Sequence, residues 1–127
     1  MENYRVLLVD DEEELVETLV ERLDYRGFSS KYAVNGQTAL QMLQQHKFDI
    51  VVIDLKLPGM SGEELLRTIR TAYSHLPVLM MTGHGSSTQG EHEKPEGVYN
   101  FLLKPIKISE LVTKIQEAIK AYELKQK

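Results

Sequence analysis

The 127-residue sequence contains no cysteine. That excludes a disulfide framework and any thiolate metal site, and it leaves the redox compartment unconstrained. Long apolar runs are also missing. The longest span four residues, far short of a bilayer crossing. The N-terminal Met1-Glu2-Asn3-Tyr4-Arg5 leads directly into an apolar strand and carries no secretory h-region, so a cytoplasmic location with no membrane contact is expected. No basic stripe offsets the net charge of −4, which argues against direct nucleic-acid binding by this segment. Internal repeats, low-complexity tracts and internal linkers are absent. The polar tail Lys125-Gln126-Lys127 leaves open whether an effector domain follows.

What is present is a single-domain pattern over residues 1–127, with 42% hydrophobic residues, enough to bury a core without staples. Val6–Val9, Ile50–Ile53 and Val78–Met81 are continuously apolar, as expected of parallel strands buried on both faces. Weaker strands are expected near Ser29–Val34 and Val98–Leu103. Leu15, Val16, Leu19, Val20 and Leu23 share one face of a helix from about Glu12 to Arg26, stopped by Gly27. A second helix follows Asn35-Gly36, a third follows Ser61-Gly62, and Ser109-Glu110 opens the last. The alternation predicts a doubly wound, five-stranded parallel α/β domain.

In such a sheet, sites form outside the carboxyl ends of the strands, where strand order reverses. Asp10 and Asp11 end the first apolar run, and Asp54 ends Ile50–Ile53. Each alone reads as a cap or loop carboxylate, but the set does not. Two carboxylates about 5 Å apart at an effective dielectric near 20 repel by roughly 3 kcal/mol. The cluster therefore calls for a cation, and all-oxygen donors favour a hard one such as Mg²⁺ (or Mn²⁺). Thr82 and Lys104 end two further strands and add a hydroxyl and an ammonium. A carboxylate nucleophile, a divalent ion, a hydroxyl and an ammonium suit phosphoryl transfer.

Four motifs, in this order and spacing, resemble the receiver domain of bacterial two-component response regulators over essentially the whole chain. They are Leu8-Val9-Asp10-Asp11, the run Asp54-Leu55-Lys56-Leu57-Pro58-Gly59-Met60-Ser61-Gly62, Met81-Thr82-Gly83-His84, and Phe101-Leu102-Leu103-Lys104-Pro105. The resemblance implies the flavodoxin-like strand order 2-1-3-4-5. It implies that Asp54 accepts the phosphoryl group. Asp11 would ligate the metal directly, Asp10 through water, and Lys56 through its backbone carbonyl. Thr82 and the Gly83 amide would bind phosphoryl oxygens, Lys104 would pair with Asp54 and then with the phosphoryl group, and Phe101 would report the phosphorylation state. A cis Lys104–Pro105 bond is implied too. Lys56 and His84 occupy positions that tune aspartyl-phosphate hydrolysis in the family. The implied partner is a histidine kinase or phosphotransfer domain, and the protein would act as a switch more than as a turnover enzyme. A homodimer through the Val98–Leu103 strand and the last helix is a further expectation.

Other signals carry less. His46, His75, His84 and His92 are scattered without i, i+4 pairing, so no transition-metal site is expected. Gly59 and Gly62 read as turn glycines, and Glu12-Glu13-Glu14 as a solvated first turn from which Glu12 could contact metal-bound water. An aspartate phosphatase of the haloacid-dehalogenase type would need an acid where Lys56 stands. A flavodoxin-type electron carrier would need a phosphate loop where Asp10–Glu14 stand. A pure interaction module would have no use for the retained Asp10, Asp11, Asp54, Thr82 and Lys104. One stretch departs from the family pattern: residues 86–97 contain no aliphatic or aromatic side chain, with Gly90 and Pro95 inside. A helix there would have no face to bury, so the fourth helix is expected to be degenerate or missing, and apolar surface near Phe101 to be left for a partner or a second copy.

Overall fold

The computed structural model describes residues 3–83 and 97–125. Along the chain run β1 (Arg5–Val9), α1 (Glu13–Tyr25), β2 (Ser29–Ala33), α2 (Gly36–Gln45), β3 (Ile50–Asp54), α3 (Gly62–Ala72), β4 (Val78–Thr82), β5 (Asn100–Leu103) and, as α4, Ile108–Lys125. The strands form one parallel sheet in the order β2-β1-β3-β4-β5. This is the expected doubly wound sheet. Its order reverses between β1 and β3.

Strand periodicity explains the two-sided core. Val6 and Leu8 of β1 pack with Val16, Leu19 and Leu23 of α1 and with Leu111 and Ile115 of α4. Leu7 and Val9 point to the other face, onto Ala39 and Leu43 of α2 and Leu65, Leu66 and Ile69 of α3. Successive residues of a strand face opposite sides, so a strand covered on both sides must be apolar throughout. Every residue of β3 and β4 is buried. The edge strands are less so, and β5 is shorter than the expected Val98–Leu103 run.

Local chemistry sets the helix ends. Gly27, at φ 97°, closes α1: its N–H donates to the Asp24 carbonyl and the Phe28 N–H to the Leu23 carbonyl, the paired bonds of a Schellman stop. The Asn35 side chain accepts the Thr38 N–H at the start of α2. Ser61 and Glu64 form a reciprocal capping box that starts α3 at Gly62. The expectation of a missing fourth helix over residues 86–97 falls outside the described residues, apart from Gly97, whose φ is 96°. His84 and His92 also lie outside them.

Candidate functional site

Three polar side chains are buried among the described residues, Asp10, Asp54 and Thr82, and all three stand at carboxyl ends of strands. Asp10 follows β1, held by its N–H to the Ala33 carbonyl at 3.0 Å. Its Oδ1 accepts the Glu12 N–H at 2.9 Å, forming the turn that feeds α1. Asp54 ends β3 beside Met81 of β4, and its Oδ1 accepts a long 3.4 Å bond from the Lys56 N–H. Lys104 follows β5, and its N–H continues the ladder to the Thr82 carbonyl at 2.8 Å. The Lys104–Pro105 bond is cis, as the resemblance implied.

The side chains converge at the switch between β1 and β3. The Lys104 ammonium lies 2.6 Å from Glu12 Oε1, 3.0 Å from Asp10 Oδ2 and 3.2 Å from Asp54 Oδ2. Carboxylate oxygens of Asp10, Glu12 and Asp54 all lie within 4.8 Å of one another. Burial, followed by the charge of Asp54, raises the Asp10 pKa from 3.8 to about 6, although the Glu12 N–H and Lys104 oppose the rise. Burial disfavours the Lys104 ammonium, but Glu12, Asp10 and Asp54 outweigh it and hold its pKa above the ordinary lysine value.

One cation thus faces three carboxylates, two of them buried. Asp10 Oδ2 is within ion-pair distance of Lys104 but receives no aligned hydrogen bond, so a buried acceptor is left unsatisfied. A hard divalent ion fits this set: the donors are all oxygen, the charge is in excess, and a buried oxygen lacks a donor.

Of the residues expected from sequence, Asp10, Asp54, Thr82 and Lys104 end strands around this point. The Thr82 hydroxyl makes a 3.3 Å bond to the Gly83 carbonyl. The Lys56 side chain is exposed at the rim. Phe101, half-buried on β5, packs against the α2–α3 side of the core. Asp11 is exposed and lies outside the acidic ring, where Glu12 stands instead. Glu12 gave one sequence signal, a carboxylate two residues after a strand-ending aspartate.

Gly62 also differs from the turn role expected of it. A β-carbon there would lie 2.5 Å from the Asp54 carbonyl oxygen and 2.9 Å from the Leu55 Cα. The start of α3 therefore rests directly against the backbone that carries Asp54. Of this pair of glycines, Gly59, at φ 73°, is the one that adopts a left-handed turn conformation. Met60 packs on Gly36 of α2, where a β-carbon would lie 2.9 Å from its sulfur, and this anchors the far end of the same loop.

The family model of the response regulator receiver domain matches residues 6–116. The chain belongs to that family, whose domains serve two-component signalling. Among curated relatives, it is 31% identical over 122 residues to sporulation initiation phosphotransferase F of Bacillus subtilis, covering 96% of this chain and 95% of that protein. It is 32% identical over 120 residues to the uncharacterized transcriptional regulatory protein YkoG of the same organism, covering 94% of this chain. The chain spans about half the length of that regulator, 53%. A receiver domain crystal structure from Clostridium thermocellum superposes with a TM-score of 0.87 at 28% identity, covering 95% of this chain and 98% of that one. No helix among the described residues is long and apolar enough to cross a membrane.

Proposed function

We propose that the domain is a cytoplasmic switch that takes a phosphoryl group onto Asp54 from a phosphohistidine of a histidine kinase or phosphotransfer protein. The observation that carries this reading is the pair of buried carboxylates, Asp10 and Asp54, held with Lys104 at the β1–β3 switch point. Two buried acids beside one lysine cost folding stability, and such costly, perturbed clusters concentrate at functional sites.

In the transfer, an ionised Asp54 oxygen attacks phosphorus. The new P–O bond forms as the bond to the donor imidazole nitrogen breaks, and that nitrogen leaves with the electron pair. The Lys104 ammonium and the Thr82 hydroxyl, with the Gly83 amide, receive the phosphoryl oxygens. Asp10, Asp11, Asp54 and the Lys56 carbonyl would hold Mg²⁺, which supplies positive charge against the transferring oxygens. Thr82 must give up its weak bond to Gly83 to reach the phosphoryl group, and Phe101, on the strand beside β4, shifts with it. Attack of water on phosphorus later returns Asp54 as a carboxylate, at a rate tuned by Lys56 and His84. Such a domain is reset by its own slow hydrolysis and is not a conventional turnover enzyme.

Incubation with acetyl phosphate tests the reading. One phosphoryl group per chain is expected with Mg²⁺ present and none with EDTA. Uptake of equal extent in both would remove the metal from the account.

A further inference from the structure

Glu12 holds a position whose local chemistry it does not serve. It is the residue before α1, where Ser, Thr, Asn or Asp normally accept a backbone N–H, and its side chain makes no cap bond. Asp10 supplies the turn instead, by accepting the Glu12 N–H. Freed from capping, the Glu12 carboxylate reaches Lys104, 92 residues away in sequence, at 2.6 Å. That is the shortest of the three ammonium contacts, the others being 3.0 Å and 3.2 Å. It is also the only one made to an exposed carboxylate: the Glu12 side chain is 59% exposed, against 0% for Asp10 and 8% for Asp54.

The Lys104 ammonium therefore sits between a buried pair of acids and a rim acid, and the rim acid holds it closest. A divalent ion seated between Asp10 and Asp54 would repel the ammonium from both. Glu12 is the partner it can keep, at the mouth from which a phosphoryl donor must enter. We propose that Glu12 is a positioning residue that retains Lys104 at the rim, within reach of the incoming phosphoryl oxygens, when a cation occupies the inner acids. The proposal rests on the phosphoryl-transfer reading above and adds to it a residue outside the family roles assigned there.

The sign of one substitution separates this role from a general charge effect. Glu12→Gln removes a negative charge near the site, which by itself speeds the approach of an anionic donor such as acetyl phosphate. Loss of the latch instead slows transfer. At saturating Mg²⁺, Glu12→Gln is expected to label about two- to fivefold more slowly than the parent, the range an exposed ion pair supports. In a Lys104→Met background the same substitution should cause no slowing, because the residue it acts through is gone. Labelling by Glu12→Gln as fast as the parent overturns the proposal. So does equal slowing in both backgrounds, which would place Glu12 on the metal or the donor directly.

A metal-free arm keeps this distinct from the reading it rests on. Urea unfolding of the parent, Glu12→Gln, Lys104→Met and the double variant, all in EDTA, measures whether the two residues couple. A favourable coupling supports the latch even if the parent takes up no phosphoryl group, an outcome that would sink the transfer reading alone. Strictly additive effects on the unfolding free energy, in EDTA and again at saturating Mg²⁺, overturn the latch whatever the labelling shows.

Discussion

Replacing Asp10 by Asn should stabilise the metal-free protein at neutral pH, against the usual rule that altering a buried polar residue costs stability. Asn keeps the oxygen that accepts the Glu12 N–H but removes the charge. In the folded protein, burial and the neighbouring Asp54 raise the Asp10 pKa from 3.8 to about 6. A carboxyl group whose pKa rises on folding binds its proton more tightly when folded, so ionisation opposes folding. The penalty is absent below about pH 4, grows between pH 4 and 6, and is fully present above 6. A displacement of roughly two pH units is worth about 3 kcal/mol. For a chain of this length that is roughly 10 °C in Tm. The assay is urea or thermal unfolding of parent and Asp10→Asn in EDTA at pH 4 and pH 7.5. The variant should gain about 3 kcal/mol at pH 7.5 and almost nothing at pH 4. Added Mg²⁺ should erase the advantage, because it gives the parent carboxylate its missing counter-charge. An Asp10→Asn protein that is less stable at pH 7.5, or equally stabilised at both pH values, would refute the crowded-charge reasoning.

Lys104→Met should remain folded yet lose about 3 kcal/mol in EDTA, because two buried carboxylates lose their cation; urea midpoints should show most of this loss recovered by Mg²⁺. The same variant should fail to transmit phosphorylation, read as unchanged NMR shifts at Phe101 after labelling. Gly62→Ala puts a methyl group 2.5 Å from the Asp54 carbonyl oxygen. It should cost about 1–3 kcal/mol in denaturant unfolding and slow phosphoryl uptake by displacing Asp54; a fully stable, fully active variant would show that this close approach is slack.

Most of the fold was legible because its determinants are local or periodic. Strands such as Ile50–Ile53 declare burial on both faces by lacking any polar residue, and Asn35, Ser61 and Gly27 mark helix ends through bonds within a few residues. The site was legible where a strand simply ended in a functional group, as at Asp54, Thr82 and Lys104. It was less so where adjacent residues diverge. Asp10 and Asp11 are equivalent in sequence, yet the turn bond from Glu12 buries the first and leaves the second exposed. Glu12 looked like one of three solvated acids, and its contact with Lys104 exists only once β1 and β5 share a sheet. Gly62 looked like a turn because its partner is backbone across a loop, a relation that composition does not encode.

The central claim is that Asp54 alone receives the phosphoryl group. The direct measurement is intact-mass spectrometry after incubation with acetyl phosphate and Mg²⁺, run on the parent, Asp54→Asn, Asp10→Asn and Asp11→Asn. Folding of each variant is checked by circular dichroism. The parent should carry one phosphoryl group, lost on treatment with hydroxylamine, and Asp54→Asn should carry none while remaining folded. Asp10→Asn and Asp11→Asn should label more slowly without moving the site. A folded Asp54→Asn protein that labels to the parent's extent would contradict the account.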